Sequence, residues 1–132
     1  CRGKKTMNKK NKILIVEDEV SERRALSEKL TRKNYKIFGA ENGLVGLEIA
    51  LKRHPDLILL DILMPKMDGV GFINKLRLDK WGKSVPVMVL TNKEAERKML
   101  KFLKKDRDCL YYMIKSDWKL SDIVKRIDRV LK

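Results

Sequence analysis

Leu57-Ile58-Leu59-Leu60-Asp61-Ile62-Leu63-Met64-Pro65-Lys66-Met67-Asp68-Gly69 decides the fold. Asp56–Leu60 reads as a strand that is apolar throughout, which places it in the centre of a parallel sheet. Asp61 then follows, just before a Pro/Gly turn. A carboxylate at the end of a buried strand is costly unless chemistry needs it there. The arrangement recurs near the start, where Lys12–Val16 runs into Glu17-Asp18-Glu19. Two apolar strands that release carboxylates at their carboxyl ends point to one acidic pocket at the rim of a parallel sheet.

Working outward, helical and strand-like segments alternate. Glu19–Lys33 has helical spacing, with Val20, Leu26 and Leu30 on one face. Asn34 is its stop. Tyr35–Gly39 is a short strand. Asn42-Gly43 opens a second helix through Arg53, with Leu44, Leu47, Ile49, Ala50 and Leu51 apolar, and His54-Pro55 ends it. A third helix runs from Val70 to Lys80 with Phe72, Ile73, Leu76 and Leu78. Val85–Leu90 is the fourth strand and Lys93–Lys105 a very basic helix. Cys109–Ile114 is the fifth strand and Leu120–Leu131 the last helix. Strand and helix thus alternate five times, which implies right-handed crossovers onto a parallel sheet with helices on both faces. Ligands of such sheets lie at the carboxyl ends of the strands. The polar residues there are Glu17, Asp18, Asp61, Thr91 and Lys115.

Those residues limit the chemistry. Two carboxylates about 4 Å apart repel by roughly 4 kcal/mol at an effective dielectric near 20. A hard divalent cation offsets this, and Mg²⁺ is held by a few carboxylates together with waters and phosphate oxygens. No His/Cys cluster suggests zinc. The single histidine, His54, reads as a helix-end surface residue. A lysine and a threonine opposite an acidic metal site suit a phosphoryl group. Asp61, alone at the central strand, is the candidate nucleophile, and Glu17 and Asp18 are candidate metal holders.

With these residues quoted, residues 12–131 resemble the receiver domain of two-component response regulators, in particular a stand-alone receiver like the chemotaxis regulators. The resemblance is carried by Glu17-Asp18, the Asp61-x-x-Met64-Pro65-x-Met67-Asp68-Gly69 stretch, Thr91 and the Tyr112-x-x-Lys115 stretch. It implies a doubly wound, flavodoxin-like (βα)5 sheet of order 2-1-3-4-5. It also implies that Asp61 accepts phosphate from a histidine kinase or phosphotransfer protein. Asp18, Asp61 and the backbone carbonyl of Leu63 would bind Mg²⁺ directly, with Glu17 acting through water. Thr91 and Tyr112 would form the switch pair, and Lys115 would hold the phosphoryl group. The family's signalling face is the fourth helix, fifth strand and fifth helix. The chain departs from the family at Ser116, where proline is common, at Asn92, where a small residue is usual, and at Lys93, where members tune loss of phosphate.

The bulk properties fit one domain with a real core. No run of apolar residues approaches a membrane span and no signal-peptide pattern opens the chain, so the expected location is the cytoplasm. Cys1 and Cys109 suggest neither a disulfide framework nor a metal knuckle, and Cys109 reads as a buried thiol. The net charge is +14, and Arg2, Lys4, Lys5, Lys9, Lys10 and Lys12 supply six of those charges. Residues 1–11 are read as a basic flexible arm and 12–132 as the receiver. The chain ends at the fifth helix, so output is expected through partner docking rather than through an output domain, and the protein is not expected to be an enzyme. Lys98, Lys101, Lys104 and Lys105, with Lys125 and Arg129, give the expected signalling face a positive cast that suits an acidic protein. The alternative of another class is a basic adaptor for nucleic acid or an acidic surface. That helix lacks aromatic residues for base stacking apart from Phe102, which reads as core. The expected assembly is a monomer or weak dimer.

Overall fold

The computed structural model describes residues 10–62, 69–92, 94, 97, 109–114 and 119–131. Five strands, β1 (Lys12–Val16), β2 (Lys36–Ala40), β3 (Leu57–Asp61), β4 (Val87–Thr91) and β5 (Leu110–Ile114), form one sheet of order β2-β1-β3-β4-β5. Every pairing is parallel. The fold and strand order read from the sequence are therefore those of the structure.

Pleating sorts the strand side chains onto two faces. Leu14, Val16, Ile58, Leu60, Val87 and Val89 join the core formed with α2 (Gly43–Arg53) and α3 (Gly69–Leu78). Ile13, Ile15, Leu57, Leu59, Met88 and Leu90 pack against α1 (Val20–Arg32) and the C-terminal helix (Leu120–Leu131). β1, β3 and β4 are buried on both faces, which explains their lack of polar alternation.

Local chemistry sets the helix ends. The Asn42 side chain accepts from Val45 N at 2.8 Å and caps α2. His54 ends that helix in the left-handed region at φ 48°, ahead of Pro55. Asn34 lies at φ 69° just past α1. Gly46 lets α2 sit close on β1, since a Cβ there would meet Val16 Cγ2 at 2.7 Å. α3 stops at Leu78, earlier than the periodicity suggests. The Asp79 carboxylate accepts from Gly82 N at 2.9 Å and turns the chain there.

Some expectations need correction. β3 is shifted by one residue, to include Asp61. β4 begins at Val87 because Pro86 has no N–H for the ladder. Val20, Leu44, Leu51 and Leu78, apolar residues of their helices, are exposed. Helical spacing identifies a stripe but not how far the covering elements extend. Cys109 is buried as expected but disulfide-bonded rather than a thiol. The expected basic helix Lys93–Lys105 lies outside the described residues except for Glu94 and Arg97, both helical and exposed.

Candidate functional site

β1, β3 and β4 run parallel, so their carboxyl ends share one rim. Glu17 directly follows β1, Asp61 ends β3 and Thr91 ends β4. In register, Asp61 lies opposite Leu90, one residue before Thr91. All three polar side chains are buried, at 2%, 3% and 0% exposure. By strand alternation Glu17 continues the row of Ile13 and Ile15, and Asp61 that of Leu57 and Leu59. Both therefore belong to the face covered by α1 and the C-terminal helix.

A third carboxylate joins them. Oxygens of Glu17, Glu22 and Asp61 all lie within 4.8 Å of one another. Burial pushes the Glu17 carboxyl up to about 9. Hydrogen bonds with Asp61 and Glu22 and the Asp61 charge act in the same direction, and the Glu19 backbone N–H acts against them. That N–H donates to Glu17 Oε2 at 3.2 Å. Arg23 Nη1 donates to the Glu17 backbone carbonyl at 2.6 Å and ties the end of β1 to α1. Beside the carboxylates is a cavity of about 280 Å³ between α1 and the C-terminal helix. Glu17 and Glu22 form its polar part, and Leu26, Leu90, Leu120 and Ile123 its apolar wall.

The donor set fits a hard cation. It offers only carboxylate oxygens, two of the three groups are buried, and burial, with the neighbouring carboxylates acting in the same direction, keeps a proton on Glu17.

The remaining sequence-derived positions fall as follows. Asp18 is exposed and lies outside the converging trio. The Thr91 hydroxyl donates to the Asn92 carbonyl at 3.0 Å. Tyr112 is half-buried on β5, paired in register with Val89, and its ring packs on the core shared by α2 and α3. Lys125 and Arg129 are exposed on the C-terminal helix. Leu63, Lys98, Lys101, Lys104, Lys105 and Lys115 lie outside the described residues. His54 is a helix-end surface residue, as expected, and stacks on Trp81 with ring centroids 4.4 Å apart.

Sequence reading missed Glu22 and Arg23. The signal for Glu22 was weak: Glu19-x-x-Glu22 places it in the first turn of α1, close in sequence to the end of β1.

Comparison with known proteins agrees with this fold. The family model for the response regulator receiver domain matches residues 13–128. A probable transcriptional regulator, ycf27, of Porphyra purpurea is 44% identical over 84 residues, which are 64% of this chain and 33% of that protein. The Staphylococcus aureus transcriptional regulatory protein SrrA is 41% identical over 86 residues, 65% of this chain and 34% of that protein. The matches thus span about a third of the length of these curated relatives. Among solved structures, the chemotaxis response regulator CheY4 of Vibrio cholerae matches with a TM-score of 0.80 at 28% identity, covering 93% of this chain and 100% of that one. The receiver domain of a signal transduction histidine kinase from Syntrophus aciditrophicus gives 0.76 at 26% identity, covering 92% and 89%.

Proposed function

Because the chain belongs to the response regulator receiver family, we propose that Asp61 accepts a phosphoryl group and that its occupancy controls the docking of a partner. Receiver domains are signalling modules of two-component systems rather than enzymes that turn over an external substrate. The observation that carries the reading is the meeting of Glu17, Glu22 and Asp61 oxygens at the carboxyl rim. A carboxylate there is poised for chemistry on an anion that arrives with a cation.

The donor is a phosphohistidine on a histidine kinase or phosphotransfer protein. An Asp61 carboxylate oxygen forms the new O–P bond as the P–N bond breaks, and the leaving imidazole takes up a proton. Asp61, Asp18 and the Leu63 carbonyl would hold Mg²⁺ directly, and Glu17 through water. Bound Mg²⁺ supplies positive charge that offsets the carboxylates and the phosphoryl oxygens. Lys115 pairs with a phosphoryl oxygen. The Thr91 hydroxyl exchanges its Asn92 partner for the phosphoryl group, and Tyr112 moves inward behind it. A local electrostatic change thereby biases a surface with two arrangements.

Lys98, Lys101, Lys104, Lys105, Lys125 and Arg129 form the responding surface, and its occupant is an acidic protein. The net charge of +14 also favours a second reading, a basic adaptor for nucleic acid. The two separate by salt and phosphate dependence. A protein partner gives a modest salt slope and responds to phosphorylation, whereas nucleic acid gives a steep slope and ignores Asp61→Asn. No described helix is long and apolar enough to cross a membrane, and a cytoplasmic location accompanies the signalling reading.

Incubation with a small-molecule phosphodonor, read by intact mass with and without Mg²⁺, tests the chemistry. The expected result is one added phosphoryl group in Mg²⁺ and none in chelator. Because Asn92 stands where the family usually has a small residue, a kinase donor serves as the second arm. Failure with both donors overturns the reading.

A further inference from the structure

We propose that Glu22 is a metal-holding residue of this rim, a carboxylate supplied by α1 in addition to those at the strand ends. The inference rests on the Mg²⁺ reading above and deepens it. Its first support is placement. Glu22 comes from a helix, yet its carboxylate oxygen lies within 4.8 Å of oxygens on both Glu17 and Asp61.

The second support is what the helix does not ask of it. Glu19 is the N-cap of α1 and makes no side-chain cap bond, so Glu22 is the third helical residue. A glutamate there commonly accepts from the N-cap backbone N–H. In this chain that N–H donates to Glu17 Oε2 instead. Glu17 accepts at the N-cap, and the Glu22 carboxylate lies against the acidic rim.

The third support is the cavity. Glu22 and Glu17 line it together, one exposed and one buried. Glu22, the exposed member of the trio, adds a third carboxylate to the two buried ones. Affinity of oxygen-ligand sites rises with the number of carboxylates. Glu22 therefore strengthens divalent-cation binding.

Isothermal titration of the metal-free full chain with Mg²⁺ tests this, using wild type, Glu22→Gln and Glu28→Gln. Glu28 is exposed on the same helix and lies outside the trio. We expect Glu22→Gln to bind about ten- to hundredfold more weakly and Glu28→Gln to stay within about twofold of wild type. Thermal unfolding in chelator provides the second readout. Glu22→Gln should melt no lower than wild type there, yet gain less from added Mg²⁺. Glu22→Ala carries the same expectations if the glutamine variant folds poorly. Unchanged affinity in the Glu22 variants, or equal weakening in Glu28→Gln, overturns the role of Glu22 alone. Wild type that binds no Mg²⁺ overturns the metal reading and Glu22 with it.

Discussion

β3 is bounded by two buried aspartates, Asp56 just before it and Asp61 at its end, and the two are held in opposite ways. Asp56, at the amino rim, accepts from the Lys12 backbone N–H at 2.7 Å, while its own N–H donates to the Lys12 carbonyl at 2.7 Å. It closes the β1–β3 ladder with partners that complement its charge. Asp61, at the carboxyl rim, meets two other carboxylates, one of them buried. Their exposures, 6% and 3%, do not distinguish them. The sign of the neighbours does. A buried charge beside donors serves the fold, whereas a buried charge beside its own kind is placed for chemistry.

The largest expected effect is on phosphorylation. Asp61→Asn should abolish the added mass of a phosphoryl group, and Asp56→Asn should leave it intact, as read by intact-protein mass spectrometry. A label that persists in Asp61→Asn would erase the functional half of the contrast.

Next is the pH dependence of stability in chelator. The Glu17 pKa rises from 4.5 to about 9 on folding, mainly through burial. The native state therefore holds a proton that the unfolded chain has released, and stability falls as pH climbs from about 4.5 towards about 9. Urea unfolding at several pH values should show this decline, and Glu17→Gln should flatten it. A flat wild-type profile would mean that the carboxyl rim is no more strained than the amino rim.

The smallest effect is that of the cation on the folded protein. At ten times its dissociation constant, Mg²⁺ should stabilise wild type by about 1.4 kcal/mol. Asp61→Asn should lose most of that gain and Asp56→Asn none of it, as followed by thermal melts.

Much of this contrast was legible in the sequence. Two apolar runs ending in Glu17 and Asp61 are enough to place acids at one rim, because parallel strands align their carboxyl ends. Thr91 was legible for the same reason. Glu22 was not. Its nearness to Asp61 depends on how α1 leaves β1, and that angle involves Arg23 bound to the Glu17 carbonyl and packed along Gly39. Strand periodicity says nothing of that turn. Asp56 was read as the first strand residue because it abuts an apolar run, and only its bond to Lys12 shows it to be a ladder-closing residue. Leu78, at the end of α3, fits the apolar stripe but is 82% exposed, because what covers a helix end is set by its neighbours rather than by its own period.

The most direct test is urea unfolding of wild type, Asp56→Asn and Asp61→Asn in chelator near neutral pH. Both changes remove one charge and keep the side-chain shape. Asp61→Asn should be more stable than wild type by about 1–3 kcal/mol, the scale of relieving the like-charge contact that Asp61 keeps with Glu22 while Glu17 holds its proton. Asp56→Asn should be less stable by about 0.5–1.5 kcal/mol, through weakening of a charge-assisted hydrogen bond. Shifts of the same sign in the two variants would contradict the claim that the two ends of β3 hold their carboxylates for different reasons.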